Sequence, residues 1–163
     1  MSLSGWVLLA YVAVVTVPLT VIDFREHRLP NRLVVPGIAL ALTLAFTQVV
    51  ATKAAPLPSD GSEWTPLICG ISAFVVFLVL ALLGGMGMGD VKLSAVLGTA
   101  AGFLGWEVAV AALMSAFLLG GLGALTQRII HRIRRKPHTS HIPFGPFMLA
   151  GFWVCAAFAL FSA

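Results

Sequence analysis

The chain has 163 residues, of which 60% are hydrophobic and 10% charged, and its mean hydropathy is +1.02. A soluble domain of this length could not bury so much apolar surface, whereas runs of about 18 or more apolar residues can cross a bilayer. The net charge of +4 does not indicate a nucleic-acid partner, because most of the basic residues flank apolar runs, as they do in membrane proteins.

The apolar runs predict an all-α membrane protein with six transmembrane helices in a single domain that covers residues 1–163. The predicted bounds are about Trp6 to Ile22, Leu33 to Ala51, Thr65 to Leu83, Asp90 to Leu104, Val108 to Thr126 and Pro146 to Phe161. The first run has no basic segment before it, so we expect a retained span rather than a signal peptide. A glycine-rich connection precedes the fourth helix, which is the shortest of the six.

The basic residues predict the orientation. All but one of the ten Lys and Arg residues follow the first, third or fifth span, on one side of a six-span arrangement. The exception, Lys53, begins a stretch (53–64) that is expected to be an external loop. The positive-inside rule then places Asp23 and Asp90 at the cytoplasmic face of the plasma (inner) membrane. The basic segment 128–136 is expected to mark topology and to contact membrane lipid.

Two aspartates stand at the ends of apolar runs. Asp23 directly follows the first run and Asp90 begins the fourth. An acid at such a boundary is costly unless it is used, so both are candidate catalytic residues. The second and third spans return the chain to the same face, so the two carboxyls share a depth and suggest water-activating peptide hydrolysis. The alternative for Asp23 is an ordinary interfacial acid paired with Arg25 or Arg28.

The residues around Asp90 are candidates for shaping the site. Gly87 and Gly89 allow positive φ and close approach of another backbone, which favours a re-entrant or hinge-like connection beside a wet cleft. The alternative is that they only let helices pack closely. Lys92 either biases the local field or extends its amine to the interface.

A proline- and glycine-rich segment precedes the last helix. Pro143, Phe144, Gly145 and Pro146 delay regular helix until about Pro146, so unpaired backbone groups here could hold an extended peptide. The alternative is a plain helix start. Earlier in the chain, Asn31 is expected to be the N-cap of the second span.

No cofactor or metal is expected. Cys69 and Cys155 lie within apolar runs and are expected to be inert packing residues. The three histidines His131, His138 and His141 have no cysteine or acidic partners nearby in the sequence, which disfavours a metal site.

Three segments together resemble one family. They are Asp23 followed by Leu29-Pro30-Asn31, then Gly87-Met-Gly89-Asp90-Val-Lys-Leu93, then Pro143-Phe-Gly-Pro-Phe147. Their order is similar to that in the type IV prepilin peptidases, which are membrane aspartic peptidases of the Gly-x-Gly-Asp class, distantly similar in motif to presenilin and signal peptide peptidase. The resemblance covers essentially the whole chain.

The resemblance implies a reaction and a substrate. Asp23 and Asp90 match the family's catalytic aspartates, and the substrate would be the short basic leader of a prepilin or pseudopilin. Larger members carry a cytoplasmic methyltransferase domain, often with Cys-x-x-Cys pairs, which this sequence does not contain. We therefore expect peptidase activity without methylation, as in the short branch of the family, some members of which serve Flp-type pili.

Two close carboxyls in a poorly solvated site share one proton. Asp23 follows the C-terminal end of its helix and Asp90 lies near the N-terminal end of its own, so the helix dipoles predict Asp90 ionised, as base, and Asp23 protonated, as acid.

Two other functions remain open at this point. One is a small transporter or channel that uses the acids as a proton relay. The other is a non-catalytic assembly factor that binds pilin segments.

Overall fold

A computed structural model describes residues 2–26, 29–54, 61–84, 86–134 and 144–162, with backbone alone for 127–134. Six α-helices and one 3₁₀ turn account for almost all of them. In chain order they are α1 (Leu3–Glu26), α2 (Asn31–Ala54), the 3₁₀ turn (Ser62–Trp64), α3 (Thr65–Leu82), α4 (Met88–Gly102), α5 (Trp106–Arg134) and α6 (Gly145–Ser162). The predicted all-α architecture is confirmed.

Five of these helices are long and apolar enough to cross a membrane. The exception is α4, whose 15 residues give a length of about 22 Å, less than the roughly 30 Å of a hydrocarbon core. This helix is instead surrounded by protein, since it contacts all five of the other helices. Its buried residues are Val91, Leu93, Ser94, Val96, Leu97, Thr99, Ala100, Ala101 and Gly102.

Small residues let α3 and α4 lie very close together in antiparallel orientation. A Cβ on Gly102 would lie 2.6 Å from the Cα of Pro66, and one on Gly98 would lie 2.8 Å from the carbonyl oxygen of Cys69. These pairs leave no room for a side chain between the helices, as in other membrane helix pairs with glycine at the interface. The tight pairing fixes where the first turn of α4 lies, and that turn carries Asp90.

The glycine-rich connection before α4 is a short turn over its described residues, not a re-entrant segment. Gly84 has a φ of 82° and its N–H donates to the carbonyl of Ala81, which ends α3. Gly87 has an extended backbone, and its carbonyl accepts a hydrogen bond of 3.1 Å from the N–H of Asp90. This bond begins α4. Gly85 lies outside the described residues.

The opposite end of the bundle is more ordered than the sequence predicts. Part of the expected loop 53–64 is the 3₁₀ turn, in which the Glu63 side chain is only 4% exposed. Trp64 follows, and the amine of Lys53 lies 5.9 Å from its ring centroid, within the range of a cation–π interaction. Residues 55–60 lie outside the described part of the chain.

Candidate active site

Asp23 is a buried acid in the last turns of α1. It continues the inward-facing stripe of that helix, Leu8, Val12, Val15 and Leu19, at spacings of three and four residues, and is 4% exposed. Its Oδ2 accepts a hydrogen bond of 3.1 Å from the backbone N–H of Gly145, the first residue of α6. Such deep burial is unusual for an ordinary interfacial acid, which was the alternative for Asp23.

Asp90 lies in the first turn of α4, outside the five helices that qualify as spans, and is half-buried. Burial and, next in size, the negative charge of Asp23 raise the pKa of Asp90 from its ordinary 3.8 to about 6, although a backbone hydrogen bond from Gly87 opposes this shift. The two acids, 67 positions apart in the sequence, therefore interact electrostatically at one end of the bundle.

The environments of the two acids oppose the predicted order of ionisation. The dipole of the helix that carries each acid, taken alone, places the negative charge on Asp90. However, Asp23 also lies at the N-terminus of α6, where the Gly145 N–H and the positive end of the helix dipole favour an anion. The raised pKa of Asp90 likewise favours a proton on that acid, contrary to the prediction that it is ionised.

Two phenylalanines hold the start of α6 against α5. A Cβ on Gly120 would lie 2.2 Å from the Phe144 ring, and one on Gly123 would lie 2.4 Å from the Phe147 ring. The two glycines and the two rings have the same spacing of three residues, so the rings fill the spaces that the missing side chains leave. This match of spacings is a sequence signal that motif analysis missed.

Phe144 also completes an aromatic cluster. Its ring centroid lies 6.1 Å from that of Phe77 on α3 and 5.9 Å from that of Phe117 on α5, distances typical of favourable aromatic pairs. The segment thus anchors α6 and presents the Gly145 N–H to Asp23. That N–H is occupied, which disfavours the predicted peptide-holding role for this group. Pro143 lies outside the described residues, and Pro146 is the second residue of α6.

Lys92 joins the site to the start of α2. Its amine donates to the side-chain oxygen of Asn31 at 3.0 Å, which links α4 to α2 two residues beyond Asp90. The predicted N-cap at Asn31 is wrong by one position, because the N–H groups of Leu33 and Val34 both bond to the carbonyl of Pro30. Asn31 is the first helical residue, and its side chain is available for Lys92.

Over the described residues, no group of three or more His, Cys, Asp or Glu side chains could hold a metal ion. The side chains of His131, His138 and His141 lie outside that part of the chain.

Comparison with known proteins identifies the family. A model of the type IV leader peptidase family matches residues 7–125, which include both Asp23 and Asp90. The chain belongs to this family. The family match ends before α6, so it does not cover the segment that donates to Asp23.

Curated relatives in the family carry the name prepilin leader peptidase/N-methyltransferase. The relative from Pseudomonas putida is 31% identical over an alignment of 147 residues. That alignment covers 83% of this chain and 44% of that protein. The relative from Aeromonas hydrophila is 31% identical over an alignment of 159 residues, which covers 92% of this chain and 49% of that protein. The chain spans about half the length of the curated relatives it matches. No solved structure matches it.

Family membership and the five apolar helices together describe a multi-pass membrane protein.

Proposed function

We propose that the chain is an aspartic endopeptidase that removes the leader peptide of type IV prepilins or prepilin-like proteins, with Asp23 and Asp90 as its catalytic residues. The observation that carries the proposal is the electrostatically coupled pair of acids, one buried and one half-buried, inside the region matched by the family. Perturbed carboxyl pairs in a partly dry site are typical of acid–base catalysis.

The environments of the two acids support a separate role for each. Asp23, stabilised as an anion by the Gly145 N–H, takes a proton from the attacking water. Asp90, with its raised pKa, donates its proton to the scissile carbonyl oxygen. The products of this step are a tetrahedral diol, a protonated Asp23 and an ionised Asp90. Asp23 then returns a proton to the leaving amine as the diol collapses, and Asp90 recovers its proton from the diol. General acid–base catalysis of this kind contributes about 10²–10⁴-fold.

The substrate follows from the family and from the shape of the chain. The relatives' names specify a prepilin leader, so a substrate with a basic leader next to an apolar helix fits a site at the membrane boundary. Arg25, Arg32 and Lys92 lie at the same end of the bundle as the acids, and by the positive-inside rule that end faces the cytoplasm. Membrane lipid surrounds the exposed apolar side chains of the outer helices.

The test is cleavage of a cognate prepilin by the purified chain in liposomes. Asp23→Asn and Asp90→Asn should each abolish cleavage and leave the helical content unchanged. Glu26→Gln is the matched control, since Glu26 is an exposed carboxylate one turn beyond Asp23, and it should cleave normally. A prepilin that stays bound but intact with the unsubstituted chain would contradict the proposal and indicate an assembly factor. Proton flux across the liposome without cleavage would indicate a transporter.

The orientation has its own test. An impermeant thiol reagent applied to intact inner-membrane vesicles of known sidedness should label a cysteine placed at Arg25 only from the cytoplasmic side. A cysteine placed at Ser62 should be labelled only from the other side. Labelling of both positions from one side would contradict the proposed topology.

A further inference from the structure

One side chain lies between the residues that hold the two acids. Leu29 is half-buried in the link between α1 and α2. A Cβ on Gly89, the residue before Asp90, would lie 2.8 Å from the Leu29 Cβ and 3.3 Å from its Cδ1. A Cβ on Gly145 would lie 3.4 Å from the Leu29 Cδ2. Leu29 therefore packs on the backbone next to Asp90 with one part of its side chain and on the backbone that bonds Asp23 with another.

The link that carries Leu29 is fixed on its other side. Pro30 follows it, and the Pro30 carbonyl accepts the first N–H groups of α2 at 3.0 and 3.2 Å. The next residue, Asn31, accepts the hydrogen bond from Lys92 of α4. These bonds hold the two residues directly after Leu29 against α2 and α4, which restricts where its side chain can lie between α4 and α6.

The missing side chain at Gly89 is what makes room for Leu29, whereas a Cβ at Gly145 would only reach ordinary contact with it. At 2.8 Å, an added methyl on Gly89 would overlap the Leu29 Cβ, which is attached directly to the backbone and cannot rotate away. We propose that Leu29 is a positioning residue that sets the separation of the Asp23 and Asp90 carboxyls. The proposal rests on the peptidase function given above, and it concerns a residue that does not itself react.

Truncation of Leu29 is the first test. Leu29→Ala leaves a gap between α4 and the start of α6, and should lower kcat by about 10–100-fold with little change in KM, since a misplacement of about 1 Å costs up to about 10²-fold. Leu29→Met keeps the volume and should retain most of the activity. Leu40→Ala is the matched control, because Leu40 is a half-buried leucine of α2 that lies more than two helical turns beyond Asn31.

A double variant is the second test. Gly89→Ala alone should be impaired by its overlap with Leu29. Combination with Leu29→Gly removes the three atoms nearest to the new methyl, so the double variant should be less impaired than the product of the two single effects. Effects that simply multiply, or a Leu29→Ala enzyme with kcat within about twofold of normal, would overturn the proposal. Should Leu29→Ala not accumulate, Leu29→Val and the double variant make the same comparison.

The third readout does not depend on cleavage. Carboxyl NMR of chain labelled at aspartate follows the titration of Asp90 in detergent micelles. Removal of the Leu29 side chain admits water and loosens the contact between the acids, so the titration of Asp90 should move toward lower pH in Leu29→Ala and stay unchanged in Leu40→Ala. An unchanged titration in Leu29→Ala contradicts the positioning role. Failure of the unsubstituted chain to cut prepilin contradicts the peptidase function instead.

Discussion

Replacement of Gly145 by alanine tests whether the start of α6 holds Asp23 in its working position. The added Cβ would lie 2.8 Å from the Oδ2 of Asp23. A comfortable contact between non-bonded heavy atoms is about 3.5 Å, so the carboxylate must retreat by about 0.7 Å. That movement stretches the 3.1 Å hydrogen bond from the Gly145 N–H beyond bonding distance.

The expected magnitude follows from this displacement. A hydrogen bond to a charged group contributes about 1.5–3 kcal/mol, and a shift approaching 1 Å in a catalytic group costs up to about 10²-fold in rate. We therefore expect kcat of Gly145→Ala to fall by about 10–100-fold, with KM little changed because the substrate contacts are not altered.

The assay is steady-state cleavage of purified prepilin in liposomes, with kcat and KM measured separately. The matched control is Gly121→Ala, because a Cβ at Gly121 of α5 meets no atom within 4 Å. This control should keep full activity, and it gains helix propensity. A Gly145→Ala enzyme with kcat within about twofold of normal would refute the argument that the α6 N-terminus positions Asp23.

Four further predictions concern pH and packing. Because Asp90 is the proposed acid and its pKa is about 6, kcat/KM should fall as pH rises above about 6, by up to about tenfold per pH unit, and a plateau to pH 8 would contradict the assignment. In Asp23→Asn the charge that raises the Asp90 pKa is gone, so carboxyl NMR should find that pKa lowered toward its ordinary value, and an unchanged value would show that the acids are not coupled. Phe144→Ala should lower stability by an amount near the lower end of about 3–5 kcal/mol, measured by thermal unfolding in detergent, with Phe144→Leu less affected; equal losses for the two would argue against the aromatic cluster. Gly102→Ala should cost about 1–3 kcal/mol in the same measurement, because its Cβ would meet backbone that cannot rotate away, and stability equal to that of the Gly121→Ala control would contradict the tight helix pairing.

The helices were predictable because their signal is local. Each apolar run of the sequence corresponds to a helix, and the errors lie at the ends. The first helix was predicted to end at Ile22 but continues to Glu26, and the fifth was predicted to end at Thr126 but continues to Arg134. Hydropathy detects the part of a helix that is apolar, whereas the backbone hydrogen bonds continue into the polar interface.

The two acids were also predictable, as a pair at one end of the bundle, because the number of spans between them fixes their side. Their order of ionisation was not predictable in the same way. It depends on Gly145, which lies 122 positions from Asp23 and reaches it only after two phenylalanines dock on α5. The sequence of α1 or of α4 does not reveal that a third helix, α6, points its N-terminus at Asp23.

Leu29 was named within a motif, but its role was missed for a related reason. In the sequence it is one apolar residue at the end of a polar loop, and such residues are common. Its importance lies in the two glycines on which it packs, which belong to motifs 60 and 116 positions further along. Each glycine belongs to a local motif, and neither motif indicates the side chain that contacts both of them.

The division of the site between the two ends of the sequence has a consequence for how the molecule can be assembled. Asp23 belongs to the first helical hairpin, α1 and α2, whereas Asp90 and the Gly145 N–H that bonds Asp23 belong to the helices after Gly61. Expression of residues 1–54 and 61–163 as separate polypeptides would thus produce two inactive fragments, each with one of the two carboxyls. Cleavage would return only when the fragments meet in the bilayer, which makes restored proteolysis a direct report of helix association inside a membrane.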